Sequence, residues 1–390
     1  MIPSIEEINV QGKRVLLRVD FNVELDSNGG ILDAYRIEAV RPTISYLRSR
    51  GAKIILLSHL GDPVRDDPEY SLLRLHDGVV DLLGVEPIFI KDFTSVAGRT
   101  QLETMRPGEV AMLENIRFWP GEKANDRAFA GVLADLGDIY ANDAFSVSHR
   151  AHASVVAITE FLPSYGGLLF MKEYQGLGKV LSRADRPLTL ILGGAKSSLK
   201  LQFLNAFLKK ADNILLGGIL ANALLQAQGL AVGRSRVDES TLKEVKDLPL
   251  TSTKLHLPVD VRVAKAKDSG TIRTCAAGKV MEEEFIYDIG PETALLFSRI
   301  IRESHEVIWN GPMGVIESDE FAAGTESIAR AMSETKAYTV VGGGESLLAL
   351  HKFNLFTKIS HVSTAGGAML EFLAGERLPG IMALDRAAGK

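Results

Sequence analysis

A chain of 390 residues is longer than one hydrophobic core usually supports, which predicts two domains. With 46% hydrophobic and 24% charged residues it has the make-up of an ordinary folded protein, excluding the disordered and collagen-like classes. The net charge of -5 provides no global basic field, so neither nucleic acid nor an anionic membrane is an expected partner.

The first ten residues include acidic side chains and no apolar stretch of signal-peptide length, which predicts a chain that is not exported. Short runs rich in Val, Ile and Leu then alternate with longer segments of helical period, the pattern of a parallel sheet covered by helices. Strands are predicted at 14–20, 53–58, 86–90, 110–113 and 138–141, with amphipathic helices at 36–50, 72–83 and 126–136. Pro163, Gly166 and Gly167 break this pattern before a helical segment at 168–181 that would connect two halves. Pro187 restarts the alternation, with strands at 188–192, 213–216, 254–257, 306–309 and 338–341 and helices at 198–210, 220–228, 293–304, 320–332 and 346–351. The apolar run 214–225 is interrupted by Gly217, Gly218 and Asn222 and is too short for a membrane span, so it reads as core. A single cysteine, Cys275, excludes an internal disulfide, and no His and Cys cluster has zinc spacing, so a reducing, cytoplasmic compartment is expected. Pro379 and Gly380 mark a tail that leaves the second sheet. The predicted architecture is α/β: two doubly wound, Rossmann-like parallel-sheet domains at 1–165 and 184–370, a long interdomain helix or hinge at 166–183, and a tail at 371–390.

Such sheets bind ligands beyond the carboxyl ends of their strands. In the first half those ends carry groups suited to an anion: Asp20-Phe21-Asn22, Ser58-His59-Leu60-Gly61, Glu114-Asn115-Ile116-Arg117, Asn142-Asp143 and His149-Arg150-Ala151-His152, with Arg36 at a helix start. Taken singly, an Arg or His in such a place is an ordinary surface or hydrogen-bonding residue, and Asp20 and Asp143 also suit helix caps. Their recurrence on one rim is what points to a small polyanion, because guanidinium forks match carboxylate and phosphate oxygens.

In the second half the strand ends carry glycine: Gly193-Gly194-Ala195-Lys196, Gly217-Gly218, Asn310-Gly311-Pro312-Met313-Gly314 and Gly342-Gly343-Gly344-Glu345-Ser346. Glycine lets backbone amides approach a phosphate and a following helix start adds positive potential, so this rim suits a nucleotide. One glycine pair alone would merely turn a strand into a helix. Lys196 and Lys200 stand four apart, on one face if a helix has begun there. The Walker run Gly-x-x-x-x-Gly-Lys-Ser/Thr and the dinucleotide fingerprint Gly-x-Gly-x-x-Gly are both missing, which disfavours P-loop enzymes and Rossmann dehydrogenases.

Arg18-Val19-Asp20-Phe21-Asn22-Val23 followed by Tyr35-Arg36-Ile37 is very similar to the opening of phosphoglycerate kinases. The likeness continues in order through Ser58-His59-Leu60-Gly61, Leu113-Glu114-Asn115-Ile116-Arg117-Phe118, Asn142-Asp143-Ala144-Phe145, His149-Arg150-Ala151-His152 and Gly193-Gly194-Ala195-Lys196. It ends with Asp288-Ile289-Gly290-Pro291, Trp309-Asn310-Gly311-Pro312-Met313-Gly314, Gly342-Gly343-Gly344 and Leu378-Pro379-Gly380, spanning nearly the whole chain. The resemblance implies two lobes joined by a long helix, with the tail returning to the first lobe. It implies reversible phosphoryl transfer between 1,3-bisphosphoglycerate and ADP, giving 3-phosphoglycerate and ATP, by a monomer that acts on small molecules with magnesium. Asp20, Phe21, Asn22, Arg36, His59, Leu60, Gly61, Asp62, Arg117 and Arg150 would serve phosphoglycerate. Gly194, Lys196, Lys200, Gly217, Gly218, Asn310, Pro312, Gly314, Glu317, Gly343, Gly344, Glu345 and Ser346 would serve the nucleotide, with Glu317 at the ribose and Glu345 near its magnesium ion. Arg36, Lys200, Gly343 and Gly344 are the expected catalytic groups, acting by positioning and charge as the lobes close.

The chain departs from the family pattern at four places. Asp62 stands where an Arg is usual and Glu345 where an Asp is usual, Ser197 replaces a common valine, and Ala365 interrupts a glycine run. Asp62 predicts weaker phosphoglycerate binding, since a carboxylate there repels the ligand's phosphate. Two other readings follow from these departures: a homologue that binds the ligands without chemistry, and a kinase for another small carboxylate.

Overall fold

The computed structural model describes residues 2–26, 29–63, 67–182, 185–194, 198–235, 237, 239–268 and 270–389. The chain divides into two units, Met1–Gln175 with Arg377–Lys390, and Gly176–Glu376.

The first unit is built on six parallel strands: β1 (Arg14–Arg18), β2 (Lys53–Leu57), β3 (Ile88–Ile90), β4 (Val110–Leu113), β5 (Ile139–Asn142) and β6 (Ser164–Gly166). Their order across the sheet is β3-β4-β2-β1-β5-β6. Strands β1 and β2 are almost continuous apolar runs because both of their faces are covered. Val15, Leu17, Ile54 and Leu56 pack on one side with Ile37, Ile44 and Leu47 from the helices. The single helix predicted at 36–50 is two, Tyr35–Ala39 and Arg41–Ser49. Pro42 explains the restart, since its missing N–H and its ring are tolerated only in a first turn.

The second unit carries β7 (Leu188–Leu192), β8 (Asn213–Leu216), β9 (Leu255–His256), β10 (Asp260–Ala264), β11 (Arg273–Ala276), β12 (Phe285–Ile289), β13 (Glu306–Asn310), β14 (Tyr338–Gly342) and β15 (His361–Ser363). Six of them form a parallel sheet in the order β15-β14-β13-β7-β8-β9. The other three form a separate antiparallel sheet, β11-β10-β12, which the alternation of strand and helix does not predict. Both large sheets have the α/β parallel architecture expected from the sequence.

Helix Leu168–Ser182 carries the chain from the first unit to the second. The segment read as a tail contains a helix, Pro379–Ala388, that packs in the first unit against β6 and the turn Ala157–Glu160. Leu378 and Leu384 are buried there, and the Gly380 N–H donates to the Ser148 carbonyl at 2.8 Å. Among the described residues, no helix is long and apolar enough to cross a membrane.

Candidate active site

The carboxyl end of the first sheet gathers most of the predicted anion-binding residues. Asp20, just beyond β1, is buried and faces the Arg36 guanidinium at 3.2 Å. Burial alone would raise its carboxyl, but the Arg36 guanidinium, the Ser146 hydroxyl and the Arg18 charge outweigh that and hold it well below the usual carboxylate range. Arg36 also donates to the Asn22 carbonyl at 3.0 Å, and the Asn22 side-chain oxygen accepts from the Gly61 N–H at 2.8 Å. The loops after β1 and β2 are thereby stitched together.

His59 is buried behind this rim. Arg18, the last residue of β1, donates to Nδ1 of His59 at 3.1 Å and to the Ser154 hydroxyl at 2.9 Å. The same hydroxyl donates to the buried Glu122 carboxylate at 2.7 Å. Burial and the Arg18 charge push the His59 imidazole well below its ordinary range, so it is neutral and carries its proton on Nε2. The sequence held a signal for Arg18: a charged residue ending an otherwise apolar parallel strand needs a polar partner beyond the strand.

Arg117 is buried, and its Nη1 donates to the Gly61 carbonyl. Its Nε and Nη2 have no hydrogen-bond partner among the described residues. Burial and the nearby Arg150 and Arg18 charges bring it down to about 10. Arg150 is exposed and donates to Nε2 of His149 at 3.3 Å. Asp62 is also exposed, and its carboxylate accepts from Lys123 at 2.8 and 3.0 Å, which with the Lys123 charge holds its carboxyl below the usual range. The side chains of Phe21 and Leu60 lie in the core of this unit. Their backbone serves the rim instead, the Phe21 N–H donating to Ser58 and the Leu60 carbonyl accepting from Asn115. Asp143 takes its capping role, accepting from the Phe170 N–H at the start of helix Leu168–Ser182 at 3.0 Å.

At the carboxyl end of the second parallel sheet lies a cavity of about 220 Å³. Gly194, Gly218, Pro312, Gly314, Glu317 and Glu345 of the predicted nucleotide residues line it. Ile219, Asn222 and Tyr287, which were not predicted, also line it. Tyr287 arrives from β12 of the unforeseen small sheet, so the sequence offered no frame in which to place it.

Lys200 is buried, and its Nζ donates to the Gly193 carbonyl. The niche around that ammonium is open because Gly194 and Gly311 lack side chains: a Cβ would fall 2.8 and 2.7 Å from Nζ respectively. The same Cβ on Gly194 would lie 2.7 Å from Oε2 of Glu345, so carboxylate and ammonium flank one glycine. Asn310 and Ser346 are buried and engaged within the scaffold. The Asn310 amide donates to the Gly342 carbonyl at 2.8 Å, and the Ser346 hydroxyl accepts from the Gly311 N–H at 2.7 Å. Gly217 is buried beside Met313, and Gly343 has a left-handed φ of 99° at the entrance to helix Gly344–Lys352. Gly344 is exposed with open space around its Cβ position, leaving that helix start accessible. Lys196 lies outside the described residues.

The model of the phosphoglycerate kinase family matches residues 5–376. The chain belongs to the phosphoglycerate kinase family. It is 43% identical over 387 residues to the phosphoglycerate kinase of Pelotomaculum thermopropionicum, covering 98% of each chain. It is 43% identical over 397 residues to that of Synechococcus elongatus, covering 99% of each. The solved phosphoglycerate kinase of Pyrococcus horikoshii superimposes with a TM-score of 0.89 at 32% identity over 100% of both chains. That of Coxiella burnetii gives 0.85 at 34% identity over 99% of both. As a phosphoglycerate kinase the chain is a phosphotransferase that uses a nucleotide.

Proposed function

We propose that this enzyme transfers a phosphoryl group reversibly between 1,3-bisphosphoglycerate and ADP, giving 3-phosphoglycerate and ATP. The phosphoglycerate is assigned to the rim of Asp20, Asn22, Arg36, His59, Arg117 and Arg150, and the nucleotide to the cavity of the second unit. The observation that carries the first assignment is Arg117, a buried guanidinium with two nitrogens lacking partners among the described residues. Buried donors left unmade are costly, and an anionic ligand satisfies them with charge-assisted bonds.

In the direction that consumes ATP the attacking oxygen belongs to a carboxylate, which is ionised at neutral pH and needs no general base. The chain therefore supplies charge and position rather than proton transfer. Arg36 neutralises the acceptor carboxylate while Asp20 fixes the guanidinium's orientation. Lys200 and the amides at Gly343 and Gly344 face the nucleotide phosphates, and Glu317 serves the ribose.

Magnesium usually keeps several waters and binds through one or two carboxylates plus substrate phosphates. The exposed Glu345 at a helix start fits that demand, and no group of three His, Cys, Asp or Glu able to hold a metal occurs among the described residues. Glu345 is the residue assigned to such an ion, which when bound neutralises nucleotide oxygens. The reading is completed by a cytoplasmic monomer without nucleic-acid or membrane partners. The test is ATP formation from 1,3-bisphosphoglycerate and ADP with magnesium in a coupled assay, and absence of ATP overturns it.

A further inference from the structure

We propose that Asp62 is a built-in competitor for the ligand's phosphate and that Lys123 is the cation the phosphate takes over when it displaces that carboxylate. That the ligand is phosphoglycerate rests on the reading above; the competition itself rests on what surrounds Asp62. Both carboxylate oxygens accept from Lys123, at 2.8 and 3.0 Å, and Oδ1 lies 3.9 Å from Nη1 of Arg117. The Asp62 side chain is 63% exposed and that of Lys123 50%, whereas that of Arg117 is 4% exposed. The two outer groups are thus able to move while the inner guanidinium is fixed.

The backbone holds this arrangement in place. Gly61 is pinned from both sides, its N–H on Asn22 and its carbonyl on Arg117, so the next residue is presented at the mouth of the cationic cluster. The charges of Lys123, Arg117 and Arg150 all act on the Asp62 carboxylate. A carboxylate and a phosphate seek the same donors. A phosphate carries more charge and more acceptor oxygens, so it displaces Asp62 where a monoanion does not. Lys123, on a flexible stem, is able to follow the incoming anion. The pair then acts as a selectivity device, setting a threshold of charge that an anion must exceed before it reaches Arg117. It also makes good the guanidinium that the family resemblance expects at position 62, by supplying a cation from a different part of the chain.

The test uses the full chain and the variants Asp62→Asn, Lys123→Met and the double substitution, with thermal unfolding to verify that each is folded. Calorimetry reads the dissociation constant for 3-phosphoglycerate, and the rise in melting temperature with added sulfate reads binding of a plain dianion. Asp62→Asn is expected to tighten 3-phosphoglycerate about two- to fivefold, the range of partly exposed charge pairs, and Lys123→Met to weaken it by a similar factor. The double variant should lie between the two single ones, because losing the guard offsets losing the cation. The sulfate response should follow the same order. If all variants bind 3-phosphoglycerate within twofold of the parent, or Asp62→Asn binds it more weakly, the competition is overturned while the assignment of the ligand stands. If no variant binds 3-phosphoglycerate but sulfate keeps the stated order, the ligand assignment falls and the competition stands.

Discussion

Arg18 donates to Nδ1 of His59 at 3.1 Å, and this one bond settles how the imidazole is used. A nitrogen that accepts from a guanidinium is not available for a proton, so His59 offers only the Nε2–H to a ligand. Binding of 3-phosphoglycerate is therefore expected to show no inflection from His59 between pH 6 and 8. A titration by calorimetry, with chemical-shift observation of the His59 ring, checks this, and protonation of that ring near its ordinary value would contradict it.

His152 gives a prediction for stability. Burial, followed by the charges of Arg117, Arg18 and Arg150, lowers its imidazole to about 4. The unfolded chain then binds a proton that the folded chain refuses between about pH 6.5 and pH 4. Stability from this group is complete above the unfolded value and declines as the pH falls through it. Replacing His152 by Asn should reduce the slope of unfolding free energy against pH near 5.5 by up to about one proton. Denaturant titrations at several pH values measure that slope, and an unaltered slope would falsify the prediction.

Lys200 should matter for turnover more than for binding in the first unit. Lys200→Ala is expected to lower kcat by about 10²- to 10³-fold, the usual cost of removing one preorganised charge or donor at a transferring group. The dissociation constant for 3-phosphoglycerate, measured without nucleotide, should stay within about twofold of the parent because the rim of the first unit is built from other residues. Loss of phosphoglycerate binding would contradict the division of roles.

Gly311 has φ 89°, and a Cβ there would stand 2.2 Å from the Gly193 carbonyl and 2.7 Å from the Lys200 ammonium. Gly311→Ala therefore combines a disfavoured backbone with a collision against the loop that follows β7, costing roughly 1 to 2 kcal/mol for the backbone alone. A lower melting temperature together with a raised KM for the nucleotide is the expected pair of results. An unchanged melting temperature would show that the turn relaxes without cost.

Glu345 is expected to set how much magnesium the enzyme needs. Glu345→Gln removes the charge with little change of size and should raise the half-saturating magnesium concentration at fixed ATP by about tenfold, a typical loss for one charged ligand contact. Identical magnesium curves for parent and variant would remove Glu345 from that role.

Much of the fold is legible in the sequence. The parallel strands announce themselves as apolar runs, and β4, β7 and β8 have the bounds that the run of Val, Ile and Leu gives. The side chains proposed to hold the anion sit where those strands end, which is why Arg36, Asp20, Asn22 and His59 meet. What escaped is what depends on distant partners. Strands β10 and β12 mix apolar residues with Asp, Arg and Tyr, and their pairing with each other fixes them more than their own pattern does. Arg18 reads as a strand residue until Ser154, far along the chain, is seen to hold it. The resemblance flagged Asp62 as a departure, but its ion pair with Lys123 needed the fold to bring the two within reach.

The helix Pro379–Ala388 belongs to the first unit although it follows the whole of the second in the chain. During synthesis, the unit begun earliest thus lacks one of its walls until the other has been fully translated. Its assembly has an order imposed by topology: the later unit has all of its own residues available first, and the earlier one is closed last, when Leu378 and Leu384 reach their places. A chain ended after Glu376 and released from the ribosome should therefore display a protease-resistant second unit beside a first unit that is still easily cut.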